Sequence, residues 1–106
     1  MADARSLREQ AQNLRLKAEN SRQNGLSASH AATEYSKAGD TNNATASQNQ
    51  ALRFEQEAVG YDQQALKLEQ QAEGLENQAN GIIQRQDQLR QELDSLEQQR
   101  KSLLGP

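Results

Sequence analysis

The stretch GDTNN, Gly39 to Asn43, separates two seven-residue repeats that do not share a phase. Before it, Ala4, Ala11, Ala18, Gly25, Ala32 and Gly39 occupy heptad position a, with Leu7, Leu14, Ser21, Ala28 and Tyr35 at d. After it, a holds Ala44, Ala51, Ala58, Ala65, Ala72 and Ala79, then Gln86, Leu93 and Arg100. Position d holds Ser47, Phe54, Tyr61, Leu68, Leu75, Ile82, Leu89, Leu96 and Leu103. An apolar residue every three or four positions marks a coiled-coil seam. Gly39 and Ala44 are five apart where the repeat needs seven, so the chain must turn between them. Gly39 suits a left-handed helix end, and Asp40, Thr41 or Asn43 can cap the helix that follows. The pattern predicts an all-α fold: an antiparallel coiled-coil hairpin with helix 1 over about 3–38, a turn at 39–43, and helix 2 over about 44–104.

Folding the chain at the turn brings small residues together in the a layers: Ala11 with Ala72, Ala18 with Ala65, Gly25 with Ala58, Ala32 with Ala51 and, at the open end, Ala4 with Ala79. The d layers pair Leu7 with Leu75 and Leu14 with Leu68, then match one aromatic to one small residue: Tyr61 to Ser21, Phe54 to Ala28, Tyr35 to Ser47. Volume is thereby roughly conserved along the seam, as close packing requires. Alternating small layers resemble the Alacoil, an antiparallel packing motif in which two helices approach closely. The e positions give a check independent of hydrophobicity, because they face each other in an antiparallel pair. Arg8 meets Glu76, Arg15 meets Glu69 and Arg22 meets Asp62, each of opposite sign. Such pairs select register and orientation more than they add stability.

Helix 1 runs out of residues opposite Ala79, yet the richest hydrophobics lie beyond it: Ile82, Ile83, Leu89, Leu93, Leu96, Leu103 and Leu104. Residues 81–106 carry four basic and four acidic side chains, so no net charge keeps the segment from a copy of itself. The 82–104 segment is expected to self-associate or dock a helical partner, with an antiparallel dimer about Leu93 as the simplest homo-oligomer. The alternative is a three-helix bundle, in which the chain breaks at Asn80-Gly81 and folds 82–104 onto a stripe of Leu26, Leu52, Val59 and Leu66 at b positions. In either form the 106 residues are expected to make a single elongated helical domain.

The composition, 33% hydrophobic and 3% aromatic with one proline, is too poor for a thick globular core but rich in strong helix formers. With no cysteine, neither disulfides nor thiolate metal ligands are available. His30, the single histidine, falls at an outward f position with no second ligand beside it, so no metal site is expected. Acid pairs such as Glu55 with Glu57 or Glu73 with Glu76 read as solvated faces, since acid–base work also needs a pocket that shifts their pKa values. Tyr35, Phe54 and Tyr61 sit at d and read as seam filling. There is no phosphate loop, nucleophile motif or calcium loop, so no cofactor, catalytic residue or small-molecule substrate is expected, and the protein is not expected to be an enzyme. No apolar run reaches membrane-spanning length, and MADARSLREQ lacks a signal peptide's apolar middle, which predicts a cytoplasmic protein or one exported without a cleaved leader. A net charge of −3 argues against a nucleic-acid surface.

These features predict a structural or interaction protein: a coiled-coil rod serving as a small subunit, adaptor or scaffold of a larger assembly. Two alternatives are a leaderless substrate or chaperone of a specialised bacterial secretion system and a small RNA-binding hairpin. The latter would call for a basic outer face, whereas helix 1 exposes Glu9, Leu16, Gln23, His30 and Lys37 at f.

Overall fold

The computed structural model describes residues 3–105. It contains two helices, α1 (Ala4–Lys37) and α2 (Thr41–Leu104), and no strand among the described residues. α1 begins where Asp3, in extended conformation, turns its carboxylate onto the helix end: Oδ1 accepts the Ser6 amide at 2.8 Å. That bond satisfies one of the donors every helix N-terminus leaves open.

The turn is tighter than the repeat alone implies. α1 ends at Lys37, with the Asp40 amide donating to the Tyr35 carbonyl at 2.9 Å and the Gly39 amide to the Ser36 carbonyl at 3.1 Å. This is the Schellman arrangement, and it requires Gly39 at φ 77°, a backbone conformation open to glycine at little cost. Of the three candidate caps the chain uses Asp40. Its Oδ1 accepts the Asn43 amide at 3.2 Å and its Oδ2 the Asn43 side-chain amide at 2.7 Å. Capping from Asp40 starts α2 at Thr41, three residues before the expected Ala44, and confines the turn to residues 38–40.

The described residues pack as two units, one up to Ala72 and one from Glu73. The first is a coiled-coil-like helical hairpin of α1 with the first half of α2. Most of its a positions are sealed: Ala18, Ala58, Ala65 and Ala72 expose none of their surface and Ala11 1%, while Ala4 and Ala51 are half-buried. The d positions are wetter. Leu7, Ser21 and Ala28 are buried, Leu14, Phe54, Tyr61 and Leu68 are half-buried, and Tyr35 is 40% exposed at the turn end, more than a seam filler should be. Two helices touch along one line, so a side chain as small as alanine can be covered there, whereas the larger d side chains other than Leu7 extend past the cover. No large side chain among the described residues is fully buried.

The second unit consists of α2 alone, and every residue from Asn77 to Gly105 is exposed. The three-helix alternative is overturned here, because Asn80 and Gly81 lie inside an uninterrupted α2. A helical glycine costs only about 1 kcal/mol, and flanking runs of Gln, Ala, Ile, Arg and Leu outweigh it.

Candidate functional site

The heptad spacing of Ile82, Leu89, Leu96 and Leu103 keeps these side chains on one helix face. Leu93 lies between Leu89 and Leu96 on the same face, and Ile83 and Leu104 flank it. All seven are open to solvent, from 52% for Leu89 to 87% for Leu103. The polar residues around them form few contacts, such as Arg100 with Glu97 at 3.7 Å, one turn apart. The face is largely apolar, with Gln86 and Arg100 also at a, and it is helical and uncovered in the single chain.

The second predicted stripe lies wholly within the hairpin unit. Leu26, Leu52, Val59 and Leu66 are 64%, 56%, 45% and 50% exposed. Leu26 of α1 and Leu52 of α2 line one open groove of about 420 Å³, with Gly25 and Ala51 below and Arg22 and Glu55 beside them. A Cβ placed on Gly25 would come within 3.4 Å of the Phe54 Cβ and 3.5 Å of the Ala51 carbonyl oxygen, so the helices nearly touch at the groove floor. Periodicity placed the stripe on the outside but did not show that it borders a groove. The signal was present in Gly25, the glycine of an otherwise alanine layer. Leu16, exposed on α1 at 59%, is a further uncovered apolar residue outside both stripes.

An ion-pair ladder fixes how the two helices of the hairpin face each other. Arg15 donates to Asp62 at 3.3 Å through Nη1 and grips Glu69 with Nε, at 3.4 Å, and Nη2. Arg22 pairs with the other oxygen of Asp62. These are the partners the antiparallel e positions predict, with Arg15 additionally spanning two heptads. The hydrogen bond from Arg22, reinforced by its charge and that of Arg15, holds the Asp62 carboxyl below its ordinary value, and Arg15 does the same to Glu69. On the opposite side of the seam Lys17 stands 6.0 Å from the centre of the Tyr61 ring, at the edge of cation–π range.

Among the described residues no group of three or more His, Cys, Asp or Glu side chains is placed to hold a metal ion, and no helix is long and apolar enough to cross a membrane. What the arrangement can do chemically is bury apolar surface against another molecule. No family model, curated protein or solved structure matches the chain.

Proposed function

We propose that the protein is a non-enzymatic interaction module. Its hairpin is the structural part, and the Ile82–Leu104 face docks a helical partner, so that the chain serves as a small subunit, adaptor or scaffold of a larger assembly. The observation that carries this is the exposure of seven large apolar side chains on one face of one helix, all between 52% and 87%. Full burial of a leucine or isoleucine contributes about 1.5–3 kcal/mol, so even partial cover of this face can outweigh an association cost of about 4–15 kcal/mol. An amphipathic helix laid along it, reading anchors at heptad spacing, is the geometry that uses all seven. The small a layers of the hairpin fit an Alacoil-like close approach, which supplies stiffness without bulk.

The test is retention of partners from the native source by the full chain and by a Leu93→Asp/Leu96→Asp variant, with circular dichroism confirming that the variant stays helical. A protein partner, including the chain itself, that the wild type holds and the variant loses supports the reading. It fails if the wild type retains nothing the variant loses, or if what it retains is RNA.

A further inference from the structure

We infer that the occupant of the Ile82–Leu104 face is a second copy of the chain, bound antiparallel with Leu93 of each copy against Leu93 of the other. This rests on the reading of 82–104 as a docking face and adds the identity, direction and register of the partner. The structural basis is that α2 runs unbroken to Leu104 with the face exposed along its length. Direction and register then follow from which side chains each arrangement would bring together.

Direction is decided by charge. In a parallel pair each g residue faces the e residue five positions further along the other chain, and a residues face themselves. That would set Arg85 against Arg90, Glu92 against Glu97, and Arg100 against Arg100 within the seam. All of these contacts are between like charges. In the antiparallel pair e faces e and g faces g, which sets Arg90 against Glu97 twice by symmetry, Arg85 against Gln99, and Arg100 against Gln86. Glu92 against its own copy is the one repulsive contact. The same e-to-e rule is already used inside the hairpin, where Arg15 and Arg22 hold Glu69 and Asp62.

Register is decided by the apolar residues. Centred on Leu93, Ile82 meets Leu103, Leu89 meets Leu96, and Ile83 meets Leu104, so all seven side chains find an apolar counterpart. A slip of one heptad in one direction puts Leu93 against Gln86, Ile83 against Glu97 and Arg90 against Arg90. A slip in the other puts Leu93 against Arg100 and Glu97 against Glu97, and leaves Ile82 and Ile83 uncovered. Either slip strands apolar residues and merely exchanges the Glu92–Glu92 contact for another like-charge one, Arg90–Arg90 or Glu97–Glu97, so the apolar pairing selects the centred register of this twofold interface.

The chain contains no cysteine, so a single introduced thiol reports its own neighbour. In the full chain under mild oxidation, Gln86→Cys should remain unlinked, because the two copies of residue 86 would stand about 21 Å apart along the helix at ~1.5 Å per residue, beyond disulfide reach. An equimolar mixture of Gln86→Cys and Arg100→Cys should give a linked heterodimer. Self-linking of Gln86→Cys would establish a parallel pair and overturn the inference. In sedimentation equilibrium the wild type should dimerise, Arg90→Glu should weaken the dimer about ten-fold, and Arg90→Glu/Glu97→Arg should recover to within about two-fold. A wild type that stays monomeric while Leu93→Asp/Leu96→Asp still loses a different protein partner defeats the second-copy inference and leaves the docking reading standing. A dimer that survives Leu93→Asp/Leu96→Asp places the contact elsewhere and defeats both.

Discussion

Arg15 holds two carboxylates of the facing helix at once, Asp62 and Glu69, one heptad apart on α2. A slip of the hairpin by a heptad would offer it Glu55 with Asp62 or Glu69 with Glu76, again two carboxylates, so the side chain fixes which face α1 turns to α2 and leaves the register to the apolar layers. Asp62 and Glu69 bind protons less readily when folded than when unfolded. The stability they supply is therefore complete above their unfolded pKa values and is lost as pH falls through the lowered folded values. The resistance of the wild type to urea should fall between neutral pH and about pH 3. Asp62→Asn/Glu69→Gln should start less stable at neutral pH and show a shallower acid dependence. Gly25 gives a second residue-level prediction. Its Cβ position meets neighbours only at van der Waals distance, so Gly25→Ala should stabilise the hairpin by about 0.5–1 kcal/mol through helix propensity, measured by thermal or urea unfolding. Gly25→Leu should cost about 1–3 kcal/mol by prising the helices apart. The Arg15 and Arg22 pairings could be read from the sequence because opposite charge at facing e positions survives any uncertainty about packing. The bridging of Arg15 to Asp62 could not, since heptad letters give faces and not the reach of a side chain.

The connection between α1 and α2 rests on Gly39 at positive φ and on Asp40, whose carboxylate accepts both the backbone and side-chain amides of Asn43. Asp40→Ala should therefore cost about 1 kcal/mol. Asp40→Asn, which keeps one acceptor oxygen, should cost less, the two being compared by the same unfolding assay. GDTNN announces a turn in sequence, but Asp40, Thr41 and Asn43 are all competent caps. What singles out Asp40 is that the Schellman closure at Gly39 leaves it as the next residue free to start a helix. The continuity of α2 through Asn80-Gly81 was equally hard to read, for an energetic reason. A helical glycine is penalised by about 1 kcal/mol, which favourable neighbours can offset and an alternative packing could exploit, so the local sequence does not decide between them.

Taken as a whole molecule, the chain joins a hairpin unit covered along its seam to a helical unit that is exposed from Asn77 to Gly105. Amides of residues 11–32 and 58–72 should exchange with deuterium slowly at every protein concentration. Those of 85–104 should exchange at least ten-fold faster in dilute solution and slow as concentration rises, because helix cover arrives with the partner. Uniformly slow exchange along α2 in the dilute monomer would show that the bare helix holds itself. The seam also bears on heat. Its fully covered residues are alanines, and no large side chain is completely enclosed, so unfolding releases little newly wetted hydrocarbon per residue. The heat-capacity increment should accordingly fall below the about 12–15 cal/mol/K per residue of ordinary domains. Calorimetry should find a broad, shallow stability curve, with a hairpin that loses little on cooling and softens gradually on warming.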